Sequence, residues 1–169
     1  MTELALVALR HDRDLSSFDC GNADMNQWLA RHSWSSHKAD LARTWLALDG
    51  DTVAGYFALT TGSVRPEDAP RRVARGMPRY PMPIILLARL AVDGRYQGRR
   101  LGARLLAEAL RRAVAASDAA AVRVVVVDAI DDSAVAFHRR WGFIDSPDNP
   151  RRLYRKIADI RASLTDPPA

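Results

Sequence analysis

The segment VDGRYQGRRLGARLL, residues 92–106, has the residue types best suited to binding an anion. It follows an apolar run and begins an amphipathic one, which predicts a buried strand, a turn and a helix N-terminus. The first-turn amides of such a helix have no intrahelical partner, and the helix dipole favours negative charge there. Gly98 and Gly102 let a ligand approach the backbone. Three arginines add positive charge: Arg95, Arg99 and Arg100.

This pattern predicts a pyrophosphate site of no common type. The segment lacks the G-K-[ST] of a Walker loop and the G-x-G-x-x-G of the dinucleotide-binding fingerprint. The alternative interpretation is an ordinary turn whose arginines are simply solvated. The sequence of this segment alone leaves both interpretations open.

The charge of the whole chain also suits a partner that carries phosphates. The formal net charge is +5 and the pI is about 10.0, and Lys38 and Lys156 are the only lysines. The planar guanidinium of arginine binds phosphate through two hydrogen bonds at once. A nucleotide cofactor, an RNA or both would satisfy this excess. A codon bias that writes arginine for lysine is the alternative explanation.

The elements before this segment follow from hydrophobic periodicity. Asn22 is followed by Met25, Trp28, Leu29 and His32 at the spacing of one helix face, with Asn22 or Asp24 as the cap. His32 on this face is expected to be a core or interface residue. The apolar runs 44–49 and 53–60 form a hairpin through Asp49-Gly50. Five prolines make 62–83 an irregular loop or a set of short broken helices.

The elements around and after the segment alternate between strands and helices. We expect buried strands at 83–93 and 121–128, helices at 101 to about 116 and at about 132–141, and a last strand near 152–159. Asp131 or Asp132 opens the second of these helices and Gly142 closes it. The order predicts an α/β fold with a central mixed sheet and helices on both faces.

The bulk composition predicts one soluble domain. The length of 169 residues suits a single domain over 1–164, and the TDPPA end, 165–169, is expected to be a disordered tail. No run approaches the roughly 20 apolar residues that span a bilayer, and the start has no signal-peptide pattern. Cys20 is the only cysteine, which excludes an internal disulfide. We therefore expect a cytoplasmic protein that does not bind membranes.

Two blocks of the chain resemble the GNAT N-acetyltransferase superfamily. LAVDGRYQGRRLGARLL is similar to its acetyl-coenzyme A segment, with the motif [QR]-x-x-G-x-[GA] over residues 97–102. The departure is Arg100, where the family usually has its first glycine. DDSAVAFHRRWGF, residues 131–143, resembles the family's later helix and turn, often N-x-x-A-x-x-F-Y-x-x-x-G-F. The resemblance extends from about 40 to 157.

The resemblance implies an acetyl-CoA site and a sheet that is splayed at the cofactor strand. Main-chain groups of residues 90–92 would pair with the pantetheine arm, and amides of residues 97–102 would hold the pyrophosphate. The cofactor-binding residues implied in this way are Leu90, Ala91, Val92, Gln97, Gly98, Arg99, Arg100, Leu101, Gly102, Ala103, Asp131 and Phe137.

The same resemblance identifies a candidate general acid. In the superfamily the tyrosine after the phenylalanine of the second block often protonates the leaving thiolate, and here His138 occupies that position. An imidazolium can protonate a thiolate near neutral pH. Tyr154, water, or no dedicated acid remain alternatives. The other histidines, His11, His32 and His37, are scattered without a metal-ligand pattern, so no metal is expected.

A narrower resemblance covers nearly the whole chain. The F-D-C-G-N at 18–22 and the L-x-R-L-A-V-D at 87–93 are similar to the acetyltransferase toxins of bacterial toxin–antitoxin pairs. Those toxins acetylate the α-amine of aminoacyl-tRNA, which halts translation, and a ribbon-helix-helix antitoxin restrains them. The resemblance implies the same substrate and antitoxin here, and a homodimer.

Two arginine-rich stretches are candidates for RNA binding, although a solvated surface would look the same. The candidate residues are Arg71, Arg72, Arg75 and Arg79 in one stretch and Arg139 and Arg140 in the other, which continues to Lys156. Three other functions compete with the toxin hypothesis. They are acetylation of a small-molecule or protein amine, cofactor binding without catalysis, and nucleic-acid binding without enzymatic activity.

Overall fold

A computed structural model describes residues 3–165 of the chain. Within that range the chain forms seven strands and six α-helices. The strands are β1 (Ala5–Ala8), β2 (Arg43–Asp49), β3 (Thr52–Val64), β4 (Met82–Val92), β5 (Val124–Asp128), β6 (Ile144–Asp145) and β7 (Arg152–Lys156). The helices are α1 (Ala23–Arg31), α2 (Ser33–Lys38), α3 (Arg71–Ala74), α4 (Leu101–Ala119), α5 (Asp132–Arg140) and α6 (Ile157–Thr165). Short 3-10 helices lie at Pro66–Asp68 and Gly94–Tyr96.

The strands form one mixed sheet in the order β1-β2-β3-β4-β5-β7-β6. The β1–β2, β2–β3, β5–β7 and β6–β7 pairs are antiparallel, whereas β4 and β5 are parallel because α4 connects them. The predicted α/β class with a mixed sheet is therefore confirmed. The parallel register ends at the pair Leu87 and Val127, while β4 continues to Val92. β5 itself ends at Asp128, one residue beyond that pair, so the splay expected at the cofactor strand stays a prediction.

The chain divides into two compact units. One comprises the residues up to Thr60 together with Ala88–Ala109, and the other comprises Thr61–Leu87 and the residues from Leu110 onward. The prediction of a single domain over 1–164 stays a prediction. Of the tail predicted at 165–169, all but Thr165 lies outside the described residues, and the backbone of Thr165 is the last of α6. No helix within residues 3–165 has the length and apolarity needed to cross a membrane.

The first unit has a core between α1 and the hairpin strands. Asn22 caps α1, since its side chain accepts a hydrogen bond from the amide of Met25 at 3.0 Å. Met25 and Leu29 then lie on one face of the helix and are buried. The hydroxyl of Tyr56 donates to the carbonyl of Met25 at 2.8 Å, which ties β3 to α1. The core cluster consists of Leu9, Phe18, Met25, Leu29, Leu46, Leu48, Val53, Tyr56 and Ala91.

The second unit is built around β5, whose four valines are all buried. Asp131 caps α5 by accepting from the amide of Ala134 at 2.8 Å, and Gly142 after the helix has a φ of 90°. Arg123 donates through its guanidinium to the carbonyl of Val73 at 3.1 Å, which holds α3 near the start of β5. A second core cluster contains Val64, Ala69, Val73, Met82, Ile84, Val124, Val126 and Tyr154.

Most of the predicted elements are confirmed, with shifts at their ends. The hairpin, the strands now seen as β4 and β5, and the helices α1, α4 and α5 all form. The segment 62–83 is more ordered than expected, because β3 extends to Val64 and α3 follows. The last strand ends at Lys156, where α6 begins, so its predicted extension to 159 is wrong. Four elements were not predicted, β1, α2, β6 and α6. His32 is exposed, so its placement in the core is wrong, while its place in an interface stays a prediction.

Gly55 lets α4 pack closely against the sheet in the first unit. A Cβ at this position would lie 2.8 Å from a methyl group of Leu105, 3.0 Å from the carbonyl oxygen of Ala91 and 3.6 Å from Leu101. The first two separations are shorter than van der Waals contact, and the carbonyl oxygen belongs to the backbone of β4. Since α4 follows the predicted cofactor turn, this glycine helps to set where the helix begins relative to β4.

We predict that Gly55→Ala destabilises the protein by about 1–3 kcal/mol, the usual effect of overpacking a core. Gly62→Ala is the matched control, because it lies in the same strand and its Cβ would meet Ile84 at an ordinary 3.5 Å. Urea unfolding measures both free energies. A stability of Gly55→Ala equal to that of the control would show that α4 can move away at no cost.

Candidate active site

The turn between β4 and α4 is built around the buried carboxylate of Asp93. This side chain is 2% exposed and accepts four hydrogen bonds. The donors are the amide of Asp19 at 3.1 Å, the amide of Arg95 at 2.9 Å, and the Nε and Nη2 atoms of Arg95 at 2.9 and 3.0 Å. These interactions, above all those from Arg95, lower the pKa of Asp93 to about 2. Asp93 is therefore a fixed anion inside the turn at neutral pH.

The same turn is attached to the segment that precedes α1. The amide of Gly94 donates to the carbonyl of Asp19 at 2.9 Å. The side-chain amide of Gln97 donates to the carbonyl of Cys20 at 3.2 Å and to that of Val92 at 2.9 Å. Gln97, which the family motif assigns to the cofactor, thus holds the turn in place through its side chain. Two of these acceptors, the carbonyls of Asp19 and Cys20, belong to the F-D-C-G-N segment of the narrower resemblance.

Asp19 and Asn26 complete this attachment on the side of α1. Asp19 accepts from the amide of Gly21 and from the side-chain amide of Asn26, both at 2.9 Å, and these hydrogen bonds lower its pKa. The side-chain oxygen of Asn26 accepts from the amide of Cys20 at 2.9 Å. We call the residues Asp19, Cys20, Asn26, Asp93 and Gln97 the clasp. It connects α1 to the start of α4 inside the first unit.

The backbone of the turn has a shape that suits an anion. Gly98 has a φ of 77° and Arg100 a φ of 62°, and left-handed residues flanked by ordinary ones turn successive amides toward one side. The amide of Arg104 makes the first intrahelical bond, to the carbonyl of Arg100 at 3.2 Å. The amides of Leu101, Gly102 and Ala103 precede it in the first turn of α4, where the helix dipole is positive. This geometry fits a pyrophosphate.

The arginines of the segment differ in what they can offer a ligand. Arg95 is bound to Asp93, so the charge expected from it is already neutralised. Arg99 and Arg100 are exposed, and the guanidinium of Arg99 lies 5.6 Å from the ring centroid of Tyr96. The hydroxyl of Tyr96 donates to the carboxylate of Asp49 at 2.7 Å, which fixes this ring. Arg99 and Arg100 therefore remain candidates for binding phosphate.

The remaining predicted cofactor residues lie in both units. Leu90, Ala91 and Val92 form the end of β4 in the first unit, with Ala91 buried and the others partly buried. Asp131 and Phe137 lie in the second unit, as the cap of α5 and on the helix itself. The side chain of Asp131 is occupied by its capping bond to Ala134. Their roles in cofactor binding stay predictions.

His138 lies on α5 among aromatic rings. It is 4% exposed, with the centroids of Phe137 and Phe143 at 5.1 and 5.4 Å in edge-on arrangements. Burial lowers the pKa of His138 to about 4, because the charged imidazolium loses its hydration. Its Nδ1 atom is buried without a hydrogen-bond partner among the described residues. The imidazolium expected from the sequence is thus not the resident form at neutral pH, although a role for the neutral ring stays a prediction.

Tyr154, the alternative acid, is also buried. It lies in β7, is 1% exposed, and burial raises the pKa of its hydroxyl. A buried phenol with a raised pKa keeps its proton at neutral pH and can donate a hydrogen bond. No pattern in the sequence indicates how deeply either His138 or Tyr154 is buried.

The first arginine stretch is less neutralised by ion pairs than the second. Arg71, Arg72 and Arg75 are exposed around α3 and, with Ala74, line an open pocket of about 500 Å³. Arg79 is exposed as well. In the second stretch, Arg139 is bound to Asp145 at 2.7 and 2.9 Å, and Arg140 is exposed. Further along, ion pairs join Arg151 to Asp132 and Arg152 to Asp128.

Several residues of the site were not identified from the sequence. Asp93, Asp19 and Asn26 are ordinary polar residues in the sequence, and the hydrogen bond from Asp19 to Asp93 joins residues 74 positions apart. The available signals were the F-D-C-G-N and L-x-R-L-A-V-D motifs, which contain Asp19 and Asp93 and carried the narrower resemblance without a role for either residue. Within residues 3–165 no group of three or more metal-ligating side chains is close enough to hold a metal ion.

We predict that Arg100→Gly stabilises the fold by about 1 kcal/mol, because a side chain in the left-handed region costs about 1–2 kcal/mol that glycine avoids. Arg99→Gly is the matched control, since it removes the same charge where φ is not positive. That control should lose about 0.5–1 kcal/mol. Thermal or urea unfolding reports both changes, and equal losses in the two variants would contradict the strain.

The stability of the protein should depend on pH through His138. Its folded pKa of about 4 lies below the usual value of 6.5, so the unfolded chain binds the proton more tightly. Protonation therefore costs stability: the contribution is fully present above about pH 6.5 and is lost as the pH falls through 4. The loss amounts to about 3 kcal/mol. His138→Phe removes this effect. Urea unfolding between pH 7.5 and 4.5 should show a steeper decline for the parent, and identical declines would contradict the neutral burial.

Comparison with known proteins identifies the family to which the chain belongs. The pattern of the acetyltransferase (GNAT) family matches residues 8–143. A protein of Mycobacterium tuberculosis described as a tRNA-acetylating toxin is 39% identical over 153 residues, covering 90% of this chain and 92% of that protein.

Two solved structures of the toxin AtaT have the same fold. AtaT complexed with acetyl-methionyl-tRNAfMet has a TM-score of 0.88 at 27% identity and covers 96% of this chain and 100% of that one. A tyrosine-to-phenylalanine mutant of AtaT bound to the C-terminus of the antitoxin AtaR and acetyl-CoA has a TM-score of 0.82 at 28% identity, over 96% and 99% of the two chains. The resemblance stated from the sequence is confirmed: the chain belongs to the GNAT family and is an acetyl-CoA-dependent N-acetyltransferase.

Proposed function

We propose that this enzyme is a toxin that acetylates the α-amino group of aminoacyl-tRNA and so blocks translation. The observation that carries the proposal is the 39% identity, over nine-tenths of the chain, to a tRNA-acetylating toxin. The similarity to AtaT complexed with an acetylated methionyl-tRNA supports the same substrate class. The net charge of +5 and the exposed arginines around α3 suit a large polyanion.

The clasped turn is the part of this chain that we assign to acetyl-CoA. The amides of residues 97–103 and the guanidinium groups of Arg99 and Arg100 would hold the pyrophosphate, and main-chain groups of Leu90, Ala91 and Val92 would pair with the pantetheine arm. The fit rests on the two left-handed residues, the start of α4 and the fixed Asp93. When bound, acetyl-CoA supplies the thioester whose acetyl group passes to the amine.

The chain has to orient the amine and manage one proton. A nitrogen–carbon bond forms, the carbon–sulfur bond breaks, and a proton from the amine ends on the sulfur of coenzyme A. The amine of an aminoacyl ester is less basic than a lysine ammonium, so no strong base is required. The proton released on attack can reach sulfur without a resident imidazolium. We keep His138 as the candidate that assists this transfer, as a neutral ring whose Nδ1 lacks a partner among the described residues.

The proposed partners follow from the same likeness. One AtaT structure contains the C-terminus of its antitoxin, and another contains the AtaT–AtaR complex with DNA. We propose that a ribbon-helix-helix antitoxin neutralises this chain and that the enzyme is a homodimer in the cytoplasm. The antitoxin is expected to be encoded beside the enzyme, and expression of the enzyme alone should arrest growth.

The function is tested by incubating the purified enzyme with labelled acetyl-CoA and with total tRNA, either charged or chemically deacylated. We expect label on charged tRNA alone, at the amino acid, because the deacylated pool lacks the amine. His138→Ala should lower this turnover by more than a few-fold. A decrease of only a few-fold would remove His138 from the chemistry without touching the substrate assignment.

The other outcomes identify the competing functions. Transfer to small amines or peptides with indifference to charged tRNA would establish a different acetyltransferase. Binding of acetyl-CoA without transfer to any acceptor would contradict the enzyme itself. Arg65→Gln is the control variant for the loss of one arginine charge, since Arg65 is exposed and pairs with Glu67 and Asp68.

We predict that Arg71→Gln, Arg72→Gln and Arg75→Gln each reduce the slope of log affinity for tRNA against log salt by about one unit for each phosphate that the arginine neutralises. Arg65→Gln removes the same charge from an arginine that is already paired and should leave the slope near that of the parent. Filter binding between roughly 50 and 200 mM salt measures these slopes. An unchanged slope removes that arginine from the footprint.

A further inference from the structure

Arg89 is the only charged residue in β4, whose other ten positions are apolar or proline. It directly precedes Leu90, the first of the three residues assigned to the pantetheine arm. Arg89 and the residues that it touches all lie in the first unit, and the side chain is partly buried. The role proposed for the enzyme leaves this arginine unused.

The partners of Arg89 are weak ones. Its Nη1 atom lies 3.5 Å from the sulfur of Met25, and its guanidinium carbon lies 4.8 Å from the ring centroid of Trp28. Trp28 is itself stacked on Tyr56, at 6.1 Å between ring centroids with an interplanar angle of 11°. Among residues 3–165, the structure shows no carboxylate paired with this guanidinium. The ring of Trp28 and the thioether of Met25 contact the guanidinium without neutralising it.

A partly buried cation without a counter-ion needs an explanation. Removing a charge from water is costly, and proteins ordinarily pair such charges or use them to bind a ligand. A thioether is only a weak acceptor, and guanidinium has five N–H donors. The interactions with Met25 and Trp28 therefore leave most of its hydrogen-bonding capacity free. An anion that arrives with a ligand would complete it.

The position of Arg89 along β4 decides which ligand brings the anion. The proposed pyrophosphate turn begins after Val92, three residues further along the strand, or roughly 10 Å at the usual rise per residue. The pantetheine arm separates the phosphates of acetyl-CoA from its thioester. Arg89 thus lies at the thioester end of the assigned strand segment, where the acceptor amine must arrive. An anion bound at this end would therefore arrive with the acceptor.

We propose that Arg89 binds the phosphodiester that joins the last two nucleotides of the aminoacyl-tRNA acceptor end. This phosphate is the anion nearest to the aminoacyl ester, and the guanidinium matches it through two parallel hydrogen bonds. The proposal rests on the proposed function, because it requires an aminoacyl-nucleotide acceptor. Trp28 and Met25 act as positioning residues that keep the guanidinium in place before the acceptor binds.

Two minimal acceptors test this directly. One is adenosine carrying a 3′-aminoacyl ester, which has no phosphate, and the other is the cytidylyl-adenosine dinucleotide carrying the same ester. For the parent enzyme we expect kcat/KM to be about 10- to 100-fold higher for the dinucleotide, the effect of one charge-assisted hydrogen-bonded pair. Arg89→Met should reduce this ratio to a few-fold while retaining activity on the adenosine ester. Arg89→Lys should restore part of the ratio, since it keeps the charge and loses the fork.

Arg10→Met is the matched control, because Arg10 is exposed, pairs with Asp12 and lies in the same unit. It should keep the ratio of the parent. Thermal unfolding of Arg89→Met should match or exceed that of the parent, since the variant loses an uncompensated charge. If Arg89 had only a structural role, Arg89→Met would lower kcat/KM equally for both acceptors, and that result would overturn the proposal.

Three further results separate the failures. If the parent enzyme acetylates both acceptors equally well, no residue of the enzyme binds the phosphate. The inference is then wrong, while the proposed function stands. If Arg89→Met weakens acetyl-CoA binding by more than about tenfold in calorimetry, the anion belongs to acetyl-CoA and the inference is again wrong. If the parent acetylates neither acceptor but does acetylate small amines, the proposed function fails and the inference falls with it.

Discussion

The carboxylate of Asp93 is the constraint on which the turn between β4 and α4 depends. It is buried with four donors aimed at it, two from the main chain and two from one guanidinium. An anion with this many donors favours a single backbone path, since any other path leaves a charge or an amide unpaired. The direction of the chain from β4 into α4 follows from that requirement. So does the position of the first-turn amides of α4.

The structure also explains the departure from the family motif. The position at which the family usually has glycine is Arg100, and its φ of 62° is the conformation for which glycine is preferred. Arginine at this position strains the backbone, and it adds a cationic side chain at the edge of the turn. The clasp holds the strained residue in place, because Gln97 and Asp93 fix the backbone just before it. Strain and charge at this position are two effects of one substitution.

The sequence predicted the regular elements well because their signals are local. The cap at Asn22, the Asp49-Gly50 turn and the valines of β5 are patterns of a few neighbouring residues. The elements that were missed depend on distant partners. β1 is defined by its pairing with β2, and β6 has only two residues and exists because β7 lies beside it. The junction of β7 and α6 at Ile157 was also hidden, since the run from Arg152 onward has no breaking residue.

The site was predictable where a motif described it and not where burial decided the chemistry. The motif located Gln97, Gly98 and Gly102, whereas the acceptors of the Gln97 side chain are carbonyls, one of them 77 residues away. His138 was located by its place in a block, but its protonation depends on the rings of Phe137 and Phe143 and on exclusion from water. Burial is a property of the folded chain, so no local pattern could have revealed that pKa.

The clasp also orders events during synthesis of the chain. The ribosome makes Asp19 long before Asp93, and the 74 positions that separate them take roughly 4 to 15 s at about 5–20 residues per second. During that interval the segment before α1 lacks the residues of the turn to which it is hydrogen-bonded in the folded protein. A nascent chain that stops before Asp93 contains the segments of α1 and the hairpin without the turn that we propose for coenzyme A. The proposed cofactor turn is thus completed only after Asp93 has been made, and the candidate residues on α5 are made later still.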